Sequence, residues 1–481
     1  MRAESLLGHA GELLRRMERS PQPPDSVAQD FFRQRTYLGS KERRFIAEVT
    51  FATLRCWGTL EWCVARISHP SVPRERLLVA AMGYLGPRLG NPHLTPACAA
   101  ALQADPGAQH EELWERVLAE SGWEGQARPW LEGLWQAFCS LERETAEALR
   151  HPCLERSSEA WQLVSAVCSI PNWILRRWLE NPWYGWEPSD VVQLCRALLQ
   201  PAYPCLRVNV LQSLRETVLQ SLREQGIAAV PTPFSPVGIR LWERIALHEL
   251  QLHRSGVVEV QEEASQLVGY AVAPQPDWRL WDACAGAGGK ALHLAVLQGD
   301  RGEIWATDVD PQRLQALRVR LRRARLSSVR PLLLPRGQLP RALPHRFHAV
   351  LVDAPCSGLG TVRRTPTLKW RLTPEALARH QRRQRELIER YAERVLPGGV
   401  LVYATCSLMP EENFEVVRYF LERRPEWELE PVSEVLRASG IQLPEAPPQS
   451  PECLLLPSVH GTDGFFIARL RRRKWTGVPQ S

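Results

Sequence analysis

The sequence predicts an α/β protein in which a mostly parallel sheet with crossover helices follows a small α+β unit and an all-helical N-terminal domain. Three observations point that way. The chain has 481 residues, which at about 100–200 residues per domain makes two to four domains. Apolar residues recur at helical spacing, without strand alternation, up to about residue 150. After the loop APQPDW at 273–278, short β-rich runs alternate with long helical ones, the pattern of parallel strands joined by helices.

The opening segment carries Leu6, Leu7, Ala10, Leu13, Leu14 and Met17 on one helical stripe, ended by Pro21, Pro23 and Pro24. SKERRFIAEVTFATLR at 40–55 and Trp- and Leu-bearing runs from 111 to 149 continue the helical pattern, so residues 1–150 read as one helical domain. From 151 to 265 the pattern is mixed: helical SDVVQLCRALLQ and SLRETVLQSLREQG flank a strand CLRVNVL at 205–211. The third domain, 266–475, holds strands at 278–282, 303–308, 329–334, 347–353 and 399–405, with 465–470 as a late edge strand. Between the second and third strands, Leu314, Leu317, Leu321 and Ala324 face one way and Arg318, Arg322 and Arg325 another, as in a crossover helix packed on a sheet.

Composition narrows the function classes. Hydrophobic residues make up 44% and charged residues 23%, globular averages that exclude disordered, collagen-like and coiled-coil chains. No apolar run approaches the roughly 18 residues that cross a bilayer, and the charged opening segment lacks the apolar core of a signal peptide; a cytosolic protein is expected. The twelve cysteines never form Cys-x-x-Cys or a zinc-ligand spacing, so no metal site is expected and most read as small buried hydrophobes. The net charge of +7 permits a polyanionic partner. Only four of the 60 basic residues are lysines, at 41, 290, 369 and 474, and Lys290 and Lys369 fall inside motifs.

The first strand of the third domain runs into Asp282-Ala-Cys-Ala-Gly-Ala-Gly-Gly-Lys290, a small-residue turn that exposes backbone N–H groups at a helix start to a nucleotide-like ligand. Gly286-x-Gly288-x-x-Ala291 fits the Rossmann dinucleotide fingerprint, and Asp308, 19 residues beyond Gly289, is placed to bond a ribose diol. A nicotinamide-dependent oxidoreductase therefore enters the comparison. That chemistry wants a His or Tyr proton donor, whereas the fourth and fifth strands end in Asp353-Ala-Pro-Cys356-Ser-Gly and Ala404-Thr-Cys406-Ser407.

Ligands of an open parallel sheet sit beyond the carboxyl ends of its strands, so both cysteine loops should face the crevice of the glycine loop. Methylation of a pyrimidine at C5 needs this equipment. C5 is too weak a nucleophile until a thiolate adds to C6, and an acid at N3 stabilises the adduct. Asp353 suits the acid role, since a carboxyl in a dry pocket can stay protonated. Exocyclic amine methylation needs no adduct and uses Asp-Pro-Pro-Tyr-type loops. Chemistry alone leaves open which cysteine attacks.

CLRVN at 205–209, VQEEASQLV at 260–268, DACAGAGGK at 282–290, ATDVD at 306–310, LVDAPCSGLGTVRRTPTLKW at 351–370, YATCSLMPEEN at 403–413 and DGFFIARL at 463–470 together resemble the Nol/Nop/Sun family of RNA cytosine-C5 methyltransferases. The helical N-terminal part resembles the NusB-type RNA-binding domain of the family's bacterial B-type (Fmu/Sun) members, which act on 16S rRNA. The resemblance implies a class I methyltransferase domain, S-adenosylmethionine as methyl donor, ribosomal RNA as substrate and a monomer. It makes Cys406 the nucleophile and Cys356 the helper in product release. It also places Cys284, Ala285, Gly286, Ala287, Gly288, Gly289, Lys290, Asp308 and Asp353 at the cofactor, with Asp353 also near the base. Ala287 stands where the family commonly has proline, and PLLLPRGQ at 331–338 lacks the aspartate that usually meets adenine, a bond Gln338 could accept instead.

Candidate RNA phosphate contacts are Arg363, Arg364, Lys369 and Arg371 around the active-site loop and Arg207 and Asn209 before it; Trp370 is placed to stack on a base. A non-catalytic ribosome-assembly protein on the same fold is the competing reading from another class. Retention of both cysteines, Asp353 and the glycine loop speaks against it.

Overall fold

The computed structural model describes residues 2–69, 71–104, 109–150, 158–243, 245, 247, 249–335, 339–445 and 450–474. The chain divides into two compact units, one of residues up to Pro201 together with Thr361–Leu372, the other of Ala202–Gly360 with Thr373–Ser481.

The first unit is helical. The opening stripe forms helix Ala3–Arg19, with Leu6, Leu7, Ala10, Leu13, Leu14 and Met17 all buried. Helix Ser40–Arg55 inserts Phe45, Ile46 and Val49 into the same core. Gly83 lets Trp114 close on its helix, because a Cβ there would lie 1.9 Å from the indole. Helices continue past residue 150 through Ser158–Cys168, Asn172–Glu180 and Pro188–Leu199, the last covering all but the final residue of the helical SDVVQLCRALLQ, and all three belong to this unit.

In the second unit, strands β1 (Cys205–Val208), β2 (Ala229–Pro231), β3 (Gly238–Leu241) and β4 (Val258–Val260) make an antiparallel sheet in the order β2-β3-β1-β4. Its core is Leu206, Val208, Ile239, Leu241 and Val258 with Val218 and Leu222 of helix Arg215–Glu224.

The larger sheet comprises β5 (Arg279–Asp282), β6 (Glu303–Asp308), β7 (Val329–Leu333), β8 (Phe347–Asp353), β9 (Val395–Thr405), β10 (Trp427–Glu430), β11 (Cys453–Leu455) and β12 (Phe465–Arg472). Its order is β10-β12-β9-β8-β5-β6-β7, with β11 also on β12. The five strands from β7 to β9 pair in parallel and β12 joins β9 antiparallel. β8 and β9 are apolar and buried nearly throughout because helices cover both faces. β12 is an interior strand rather than the expected edge, since the short β10 and β11 pair along its outer side. The strand order reverses at β5/β8, the switch point where such sheets bind ligands. Among the described residues, no helix is long and apolar enough to cross a membrane.

Candidate active site

Four strands end together at the switch point: β5 in Asp282, β6 in Asp308, β8 in Asp353 and β9 in Thr405. Register pairs Asp282 with Leu351 and Asp353 with Ala404, so the loops after these strands are neighbours.

After β5 the chain turns sharply. Ala285 N–H donates to Thr307 O at 2.8 Å and Gly286 N–H to Asp308 Oδ2 at 2.9 Å. Gly286 (φ +55°) and Gly288 (φ +84°) take left-handed conformations that other residues adopt at a cost. A Cβ at Gly286 would meet nothing within 4 Å, whereas one at Gly288 would lie 2.1 Å from Leu317 Cδ1. Gly286 thus opens the backbone to a ligand, while Gly288 lets the turn pack on the next crossover helix. Asp308 is buried and also accepts from Asp310 N–H at 2.8 Å. Val309 and Leu333, the register partner of Asp308, are exposed apolar side chains beside it. Gln338 lies outside the described residues.

Lys290, in the first turn of helix Gly289–Leu297, donates to Asp353 Oδ2 at 2.7 Å. Burial alone would lower its pKa, but Asp353, Asp282 and Cys406 outweigh burial and raise it. Asp353, expected as the acid of the site, is thus paired with the Lys290 ammonium. Asp282, fully buried at the end of β5, is pushed up to about 7 by burial and by Asp353, against the opposing pull of Lys290.

The two cysteine loops run side by side, with Cys356 Sγ 3.4 Å from Cys406 Sγ. The bond to Cys406 and burial raise the Cys356 thiol well above its usual range. Cys284, half-buried in the glycine loop, is likewise raised by burial and by Asp282, Asp353 and Asp308, which keeps it a thiol. Ala354 N–H donates to Ala404 O at 2.8 Å and Gly360 N–H to Cys406 O at 2.9 Å. Gly360 packs against Gly464, where a Cβ would lie 2.0 Å from the Gly464 carbonyl.

A carboxylate absent from the sequence-derived site joins these loops. Glu412 is fully buried and accepts from Ser357 N–H at 2.8 Å, from Gln384 Nε2 at 3.0 Å and from the hydroxyls of Ser357 and Ser407. Within PEEN it reads as part of a solvated turn. The signal that could have found it is the serine that follows each of Cys356 and Cys406 at the strand ends, since two hydroxyls buried together need an acceptor.

The expected RNA contacts divide. Arg207 is buried and donates to Gly289 O at 2.7 Å and to Gln261; Asn209 is buried and donates to Ala324 O at 3.2 Å. Both side chains are engaged within the fold. Lys369 is fully buried within the helical unit, its ammonium 2.6 Å from Arg55 O, and burial lowers its pKa to about 8. Arg371 donates to the carbonyls of Met17 at 2.9 Å and Gln22 at 3.2 Å, closing the end of the first helix. Arg207, Asn209 and Lys369, expected at phosphates, are thus buried ties within the fold, while Arg371 is an exposed one. Trp370 donates to Leu54 O at 3.3 Å, and Arg363 to Pro201 O at 3.1 Å; Arg363 and Arg364 are half-buried.

The chain is similar to known proteins. Residues 269–471 match the family model "16S rRNA methyltransferase RsmB/F", and residues 170–248 match a RsmF/B-like ferredoxin-like domain. The chain is 33% identical over 309 residues to a probable ribosomal RNA small subunit methyltransferase B of Synechocystis, covering 63% of this chain and 67% of that one. It is 30% identical over 443 residues to the ribosomal RNA small subunit methyltransferase B of Serratia proteamaculans, covering 90% and 91%. A solved methyltransferase homologue from Pyrococcus horikoshii superposes with a TM-score of 0.54 at 27% identity, covering 66% of this chain and all of that one.

Proposed function

Because the chain belongs to the RsmB/F family of 16S rRNA methyltransferases, we propose that it methylates C5 of a cytosine in small-subunit ribosomal RNA, using S-adenosylmethionine and a temporary bond from Cys406 Sγ to C6 of the ring. The observation that carries this reading is the pair of sulfurs 3.4 Å apart at the carboxyl ends of β8 and β9. A hydride-transferring dehydrogenase would instead want a His or Tyr proton donor at these strand ends.

The glycine loop fits the methyl donor. Its backbone is open at Gly286, Asp308 has lone pairs left for a ribose diol, and Val309 and Leu333 offer apolar surface to adenine. When bound, S-adenosylmethionine supplies an electrophilic methyl group to C5. The protein's residues do the rest. The Cys406 thiolate, holding the Cys356 S–H as its hydrogen-bond donor, adds to C6, and the Lys290–Asp353 pair supplies a proton at N3. After methylation, solvent water takes the C5 proton, the C5–H electron pair re-forms the 5,6 double bond, the C6–S bond breaks to return Cys406 as the thiolate, and the N3 proton returns to the pair. Cys356, on the adjacent loop, assists this release.

The base must be unpaired or flipped out, since C6 is shielded within a stack. Arg363 and Arg364 remain the proposed phosphate contacts, and the helical unit the proposed RNA-binding domain. Bisulfite sequencing of 16S rRNA from cells lacking the protein, complemented with wild type or Cys406→Ala, tests the reading. One cytosine should lose its methyl group without the protein, regain it with wild type and stay unmodified with the variant. Restoration by Cys406→Ala would refute it.

A further inference from the structure

Two Cys-Ser dipeptides, Cys356-Ser357 and Cys406-Ser407, lie alongside each other with their sulfurs 3.4 Å apart and their hydroxyls 3.1 Å apart. Each belongs to a different loop, and loops carry less positional order than the strands before them. What joins them is one side chain. Glu412 takes the Ser357 N–H on Oε1 and both serine hydroxyls on Oε2, and Gln384, which also donates to Pro355 O at 3.0 Å, completes its shell. Glu412 is itself fixed: its own carbonyl accepts from Tyr403 OH at 2.6 Å, and the next residue, Asn413, bonds Thr405 Oγ1 and Ser407 O.

We propose that Glu412 is a positioning residue that sets the separation of the two cysteine sulfurs, by clamping the residue that follows each of them to one buried carboxylate. It does not touch the reacting atoms; it acts through Ser357 and Ser407. The clamp has a reason in the chemistry. One sulfur must reach C6 while the other remains close enough to assist its expulsion, and a shift of about 1 Å in reacting groups can cost on the order of 100-fold in rate. The inference rests on the reading of Cys406 as nucleophile and Cys356 as its helper.

The test compares Glu412→Ala with Glu412→Gln, which keeps the shape and one acceptor oxygen. Three quantities are read: kcat, KM for S-adenosylmethionine on 16S rRNA, and the rate at which diamide closes a Cys356–Cys406 disulfide, for which the sulfurs must come to about 2.05 Å. Glu412→Ala should lose about 100-fold in kcat with little change in KM and should close the disulfide several-fold more slowly. Glu412→Gln should recover most of both. Normal kcat in Glu412→Ala, or an unchanged closure rate, overturns the proposal. If Glu412→Ala fails to fold, Ser357→Ala and Ser407→Ala each remove one arm of the clamp; either must lower kcat and slow closure, and wild-type values in both overturn it. Cys406→Ala separates the two levels. If that variant methylates normally, the parent reading fails and the closure rate alone decides the clamp; if it is inactive while Glu412→Ala is not, only the clamp fails.

Discussion

Cys356 Sγ stands 3.4 Å from Cys406 Sγ on loops that leave adjacent parallel strands. If Cys406 carries the adduct and Cys356 assists its release, then removing the helper should halt the cycle at its covalent stage. Cys356→Ala should accumulate a protein–RNA species that survives a denaturing gel and requires S-adenosylmethionine. Cys356→Ala combined with Cys406→Ala should show none. A single variant that turns over freely without a shifted band would remove Cys356 from the release step.

Gly286 and Gly288 look equivalent in the sequence but differ in what surrounds them. Gly288→Ala forces a left-handed alanine and drives its methyl group onto Leu317, which should destabilise the protein by about 2–4 kcal/mol. Gly286→Ala meets no protein atom and should cost only the backbone strain, about 1–2 kcal/mol, while its methyl group projects where the donor is proposed to lie. Thermal unfolding paired with calorimetric titration of S-adenosylmethionine separates them. Gly288→Ala should show the larger stability loss, and Gly286→Ala should weaken affinity out of proportion to its stability loss.

How much of this was legible in the sequence depended on the range of the interactions. The parallel strands 303–308 and 347–353 stand where alternating apolar runs predicted them, because burial on both faces writes itself into consecutive residues. The strands β2, β3 and β4 are three or four residues long, too short to leave a period. Lys369 shows the other limit. Among arginines beside a reactive loop it reads as a cation facing solvent, yet its partner is the carbonyl of Arg55, 314 positions earlier. Glu412 was hidden likewise, since nothing in PEEN tells a buried acceptor from a polar turn.

The carbonyl bonds of Lys369 and Arg371 make a prediction about salt. A phosphate ligand, when removed, weakens RNA binding and lowers the salt slope of affinity by about one. Arg371 instead holds carbonyls at the end of the first helix, so Arg371→Ala should lower the thermal stability of the helical unit and leave the slope of log K against log salt unchanged. Lys369→Met, which loses the bond to Arg55 O, should do the same. A slope that falls by one in either variant would return that residue to the RNA interface.

Asp282 gives the site a pH signature whose sign is fixed by its surroundings. Its folded pKa stands at about 7 against an ordinary 3.8, so between those values the folded protein holds a proton that the unfolded chain releases. Stability therefore falls as pH rises through that window and levels off above about 7. Asp282→Asn keeps the shape and removes the titration. The difference in melting temperature between variant and wild type should be small near pH 4 and grow to about 5 °C in the variant's favour by pH 8. Catalysis need not follow stability, because Asp282 also contributes negative charge beside Lys290, and its loss lowers the pKa of that ammonium. The alkaline limb of the kcat profile should accordingly move to lower pH in Asp282→Asn. A melting difference that is flat from pH 4 to 8 would mean that Asp282 is charged throughout and that burial does not govern it.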